Sequence, residues 1–230
     1  MTQDNTNEPA MTDDRHTDAG EEAADAGLLQ NLEAEMPVLA LLRNFTDRTL
    51  RVNWFESLGE PLGRSSLLDA RMYMDGLGFP EAEIALLPDW EDAASAAESL
   101  DMNSHAWEVE EQLRAGLMQD ALQVVSEEGL GVLLTHMAGA VTETSENCLE
   151  EALYYGDESA DIYGKLALGA VQQACHGGAL AIAGLAARAM TEGAELTDED
   201  IEGHPLMLRF RLFEQGRWPV SLVGQSFNIF

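Results

Sequence analysis

The chain has 230 residues, enough for one ordinary domain to bury a core once a polar terminus is set aside. Its 46% hydrophobic content excludes disorder over most of the length, and 20 Gly with only 7 Pro excludes collagen-like and proline-rich architectures. Against 12 bases stand 42 acids, a formal charge of -30 that should repel nucleic-acid phosphates and anionic lipid, so neither nucleic acid nor a membrane is an expected partner.

Residues 1–26 hold eight acids, one arginine and no Leu, Ile, Val or aromatic residue. They cannot bury enough surface to offset the entropy of ordering, which predicts a disordered acidic tail ahead of a single α-helical domain over 27–230. The start, MTQDNTNEP, has neither a basic cluster nor an apolar run and so no secretory signal. Cys148 and Cys175 read as reduced, and the expected compartment is the cytoplasm.

From Leu28 apolar residues recur at helical spacing through Leu39, Leu42, Phe45 and Leu50 to Trp54, which predicts a helix over 38–58 entered at Pro37. Gly59, Pro61 and Gly63 break it. Ser65 or Ser66 is placed to cap a helix over 66–77, which Gly76, Gly78 and Pro80 stop. The apolar run 83–88 is a short strand or a buried connector, and Asp89 with Asp92 marks an Ala-rich helix over 90–99. Asn103 or Ser104 caps the next helix, over 105–125, with Trp107, Leu113, Leu117 and Leu122 on one side and a Glu110 to Arg114 pair on the other.

Residues 130–155 and 158–191 read as two long helices turning near Gly156 and Asp157, an Ala/Gly-rich hairpin at the centre of a mainly α bundle. The 22 uncharged residues between Lys165 and Arg188 could span a bilayer, but Gln172, Gln173 and His176 sit among them and Ala and Gly supply little transfer energy. A buried central helix is therefore expected, with Gly164, Gly169, Gly177, Gly178 and Gly184 offset by close approach of neighbouring helices. Thr197 with Asp200 signals a capped short helix, Pro205 opens another that Gly216 ends, and WPVSLVGQSFNIF allows a small β hairpin around Gly224 and Gln225.

A hairpin turning near Asp157 brings His136 and His176 to nearly equal height, with Glu143 and Glu150 at seven-residue steps from His136. Two histidines and two carboxylates can hold a metal in a helical bundle. However, the His136, Glu143, Glu150 stripe faces away from the apolar side of its helix, which favours a solvated face, and His176 reads first as a hydrogen-bonded core or boundary histidine. The same geometry offsets Cys148 from Cys175 by roughly 13 Å along the axis, too far for a disulfide. GxSxG, GxxxxGK[ST], GxGxxG and HExxH do not occur, so the common hydrolase, nucleotide and zinc-protease signatures are missing and no cofactor is expected.

Beyond Gly203 the composition shifts to Arg209, Arg211 and Arg217 against the single acid Glu214, with five aromatic residues. Either this element packs its aromatics on the acidic bundle and pairs its arginines there, or Arg209, Arg211, Trp218, Phe227 and Phe230 form a docking surface for a protein partner or a second copy. The reading that results is a non-catalytic helical adaptor, assembly or regulatory protein. Its rival is an enzyme or metal binder with a site on the 130–191 hairpin.

Eleven of the 12 bases are Arg and only Lys165 is Lys, a pattern expected of a surface kept hydrated in concentrated salt, although a genome rich in arginine codons produces it too. Salt adaptation predicts a melting temperature that rises with KCl, because added ions screen self-repulsion with a Debye length of about 10 Å at 0.1 M. A flat curve from dilute buffer to molar salt leaves genome composition as the cause.

Overall fold

The computed structural model describes residues 36–153 and 160–230, so the expected tail lies outside the described residues. Residues 41–230 form one compact unit. The fold is mainly α, with eight helices and one small sheet among the described residues. In chain order they are α1 (Pro37–Thr49), α2 (Arg64–Gly76), β1 (Glu83–Leu86), α3 (Trp90–Glu98), α4 (His105–Ala121), α5 (Glu127–Leu153), α6 (Ala160–Glu192), α7 (Asp198–Glu202), α8 (Pro205–Glu214), β2 (Pro219–Val223) and β3 (Ser226–Ile229).

Helix α1 stops at Thr49, nine residues short of the expected end at 58, and the chain then turns through 50–59. Trp54 and Phe55 are the reason: both are buried, and both pack edge-on against Phe213 at 6.1 and 6.3 Å between ring centroids. Neighbouring residues of a helix point about 100° apart, so an irregular turn is needed to drive both rings into one core. Phe55 takes φ 64, a conformation that costs on the order of 1–3 kcal/mol for a bulky residue and that burial of its ring offsets.

Helix α2 begins behind Gly63 without a side-chain cap. The two serines offered as its cap, Ser65 and Ser66, both lie within the helix, and Ser66 is buried and donates to Gln215 Oε1 at 2.7 Å. The other caps fall where their residue types predict: Asp89 accepts from Asp92 N, Ser104 from Trp107 N, and Thr197 with Asp200 forms a reciprocal capping box.

Helix α6 is central, packed against α4, α5 and α8. Its apolar window is 61% buried, and by length and composition it is the one described helix that could cross a membrane. A Cβ on Gly178 would sit 2.5 Å from the Phe45 ring, and one on Gly184 would sit 2.7 Å from Leu117 Cδ2, so the glycines mark places where neighbours touch the α6 backbone. The turn expected near Gly156 and Asp157 lies outside the described residues; on either side of it Gln172 Nε2 donates to Thr142 Oγ1 at 2.9 Å, so two residues equidistant in sequence from Asp157 meet.

The sheet has the order β1-β3-β2, with β3 antiparallel to β2 and parallel to β1. The hairpin was expected; the parallel pairing of 83–86 with 226–229, across most of the chain, was not. Phe227 and Ile229 of β3 join Tyr73 and Met74 of α2 and Leu208 and Leu212 of α8 in one cluster, which fixes the C-terminus on the helical layer.

His204 caps α8: its Nδ1 accepts from Leu206 N at 3.3 Å, so that atom carries no proton. Burial, with Arg188 nearby, lowers its pKa from 6.5 to about 4. A folded-state pKa below the unfolded value means that folding favours the neutral ring, a contribution present above pH 6.5 and lost as pH falls toward 4. His204→Asn keeps a capping acceptor but does not titrate, so it should flatten the fall in urea-unfolding free energy between pH 7 and 4.5 by on the order of 2 kcal/mol. Equal pH slopes for variant and parent would refute the assignment.

Candidate functional site

A cavity of about 250 Å³ lies between α2, α4, α6 and the hairpin, with Arg209 of α8 contributing to its wall. Most of the lining is apolar: Met74, Leu77, Leu100, Trp107, Val220 and Phe227 supply the larger side chains. The glycines of α6 explain the space. Gly178 and Gly184 are pressed by neighbours, whereas a Cβ on Gly169, which lines the cavity, would meet nothing within 4 Å.

The polar part of the wall is a buried cluster on Glu110. Tyr73 Oη donates to Glu110 Oε2 at 2.8 Å, Arg114 Nη1 donates to Oε1 at 2.5 Å, and Arg209 Nη1 donates to the same oxygen. Glu110 and Arg209 are 7% and 8% exposed, so the pair is desolvated from both sides. Burial pushes the Glu110 carboxyl up, but Arg209, Arg114 and the Tyr73 hydroxyl outweigh it and hold the pKa below the usual carboxylate value. Burial and the Glu110 charge together raise the Tyr73 phenol well above its ordinary value.

This cluster overturns the expected placement of Glu110 on the solvent side of α4. Glu110 lies seven residues before Leu117, about 20° short of two full turns, so it shares the buried stripe with Leu117 and Ala121. Leu122, expected on the apolar side, lies just past the helix and is 41% exposed. The angular signal was present in the sequence; what hid it was the assumption that a charged i,i+4 pair faces water.

The metal candidates are not gathered. His136, Glu143 and Glu150 are exposed on α5, opposite the buried stripe of Leu130, Met137, Val141 and Leu149. His176 is half-buried with Nε2 3.3 Å from the Leu134 carbonyl oxygen. Among the described residues no group of three or more His, Cys, Asp or Glu side chains is placed to hold a metal ion.

The C-terminal candidates turn inward. Trp218, Phe227 and Phe230 are buried, Arg209 binds Glu110, and Arg217 donates to the carbonyl oxygens of Ser57, Glu60 and Pro61. Arg211, about one-third exposed, reaches Asp69 at 3.2 Å. Of the two expectations for this segment, these contacts are those of the first, aromatics packed within the chain and arginines paired there. The indole N–H of Trp218, a residue that lines the cavity, is buried without a hydrogen-bond partner among the described residues.

A second cleft, between Asn44, Asp47, Arg51 and Glu56, is open and polar. Its Arg48 is already held by Glu214 through Nε and Nη2 at 2.6 and 2.7 Å, and by Glu202 at 2.5 Å.

Removing one partner of a buried pair strands the other charge. Glu110→Ala should therefore destabilise the fold by about 3–5 kcal/mol, read as a shift in the urea midpoint at constant slope. A loss under 1 kcal/mol would show that the cluster is hydrated in solution. No family model matches the chain, and neither a curated protein nor a solved structure matches it.

Proposed function

We propose that the chain is a non-catalytic binding protein of the regulatory class, and that its working site is the cavity between α2, α4, α6 and the hairpin. The observation that carries this is a largely apolar space with a few convergent polar groups, the usual form of a small-molecule site.

The state of the polar groups favours binding over proton transfer. Glu110 is held ionised by two arginines, and Tyr73, its donor, is held as the neutral phenol. Ser104 is committed to the cap of α4, and Ser221 donates to the Ala96 carbonyl oxygen. A general acid or base works best with a pKa near the operating pH, and neither Glu110 nor Tyr73 is tuned toward it. A ligand enclosed by α2, α4, α6 and the hairpin would couple those elements, which is how occupancy could be passed to a protein partner in the cytoplasm.

Gly169→Leu grows a side chain from a position with nothing in the way, and it replaces a residue that costs a helix interior about 1 kcal/mol. The full chain, dialysed against a small-metabolite extract, should retain a compound detected by mass spectrometry. The Gly169→Leu protein should melt at the same or a higher temperature and retain none. If both proteins keep the same compound, or neither keeps any, the cavity is not the site.

A further inference from the structure

A site walled by so few polar groups selects its ligand through their charges. Three charged side chains line the cavity: Glu110, Arg209 and Lys165. Glu110 is already shared by Arg209, Arg114 and the Tyr73 hydroxyl, while the second carboxylate on Arg114, Glu111, lies outside the lining. The wall therefore carries a surplus of positive charge. Lys165, the sole lysine of a chain with formal charge -30, is exposed beside Leu166 at the cavity.

Arg209 is the built part of the site. A guanidinium has five N–H donors, and Arg209 donates from Nη1 to Glu110 and has the Tyr73 hydroxyl as a second neighbour in hydrogen-bonding reach. Arg209 lines the cavity and is more than nine-tenths buried. A planar fork of this kind matches a carboxylate in two-point contact. Trp218 adds a buried donor without a partner among the described residues to the same wall. As to size, an engineered cavity of about 150 Å³ binds benzene, so 250 Å³ takes an apolar body of roughly eight to ten non-hydrogen atoms.

We propose that the cavity takes a small amphipathic organic anion, a free carboxylic acid whose apolar body lies against Met74, Leu77, Leu100 and Phe227 and whose carboxylate meets Arg209, with Lys165 assisting entry. This rests on the cavity being a ligand site at all. It also runs against the mean field of the molecule: a polyanion attracts cations from a distance, so a preference for an anion can come only from the local arginine and lysine.

The test is titration calorimetry of the full chain, at one ionic strength, with 3-phenylpropanoate, 3-phenylpropanamide and 3-phenylpropylamine, which share a body and differ in head. The carboxylate should bind at least tenfold more tightly than the amide and than the amine. Lys165→Gln, at an exposed position, should weaken the carboxylate alone, by two- to fivefold. Glu110→Met combined with Arg209→Met removes the buried pair whole and strands neither charge on the other. In that variant the advantage of the carboxylate over the amide should vanish.

Amide or amine binding as tightly as the carboxylate overturns the anion assignment and leaves the cavity as a ligand site. A carboxylate advantage that survives loss of the pair places the anion away from Arg209 and overturns it too. No heat from any of the three overturns both this assignment and the cavity reading beneath it.

Discussion

The carboxylate of Glu110, enclosed by Arg209, Arg114 and Tyr73, ties α8, α4 and α2 to one point. A buried ion pair is a poor source of stability, because desolvating two charges costs about as much as their attraction returns. What it supplies here is alignment. An apolar stripe on α4 could slide by a turn against α8 and still be covered; a carboxylate that must meet a guanidinium could not. The hairpin depends on the same alignment, because Tyr73 packs on Phe227 at 5.4 Å and Leu208 and Leu212 of α8 complete the cluster beneath β3.

The second constraint is the surface of α6. Several of its glycines admit neighbours to the backbone, Gly164 to Leu149, Gly178 to Phe45 and Gly184 to Leu117. Between Gly164 and Gly178, Gly169 admits nothing. Interiors pack to nearly crystalline density, so a stretch of central helix left without a neighbour is a departure that something else in the wall must sustain. The Glu110 cluster does this: its charged groups hydrogen-bond to one another across a fixed geometry and cannot collapse into the space as aliphatic side chains would.

How much of this could be read from the residues depends on the range over which each signal acts. Caps at Asp89, Ser104 and Thr197, the proline entry to α8 and the glycine that ends it are local, and they were legible. The pairing of α5 with α6 was legible to the extent that Thr142 and Gln172 meet. The end of α1 was not, because Trp54 continues a helical period and only the demand of Phe213 for both Trp54 and Phe55 breaks it. The parallel pairing of β1 with β3 has no local signature at all. The cavity was the least legible, since an absent neighbour at Gly169 is a property of several elements and of no one segment. The lysine count singled out Lys165, but nothing in the composition tied it to Arg209.

The composition is recast by where the cations sit. Arg209, Arg211, Arg217, Arg48, Arg114 and Arg188 all bind groups of the chain itself, four of them acids on other elements. The C-terminal arginines are thus internal fasteners, and the surface they leave is more uniformly acidic than the formal charge suggests. Salt acts differently on the two populations. Exposed carboxylates repel one another through water and are screened within about 10 Å at 0.1 M, whereas a pair as buried as Glu110 with Arg209 is reached little by mobile ions. Concentrated salt would therefore quiet the surface, the exposed Lys165 included, and leave the Glu110–Arg209 pair almost untouched. An acidic exterior and a buried arginine are compatible in one chain because each is governed by its own dielectric surroundings.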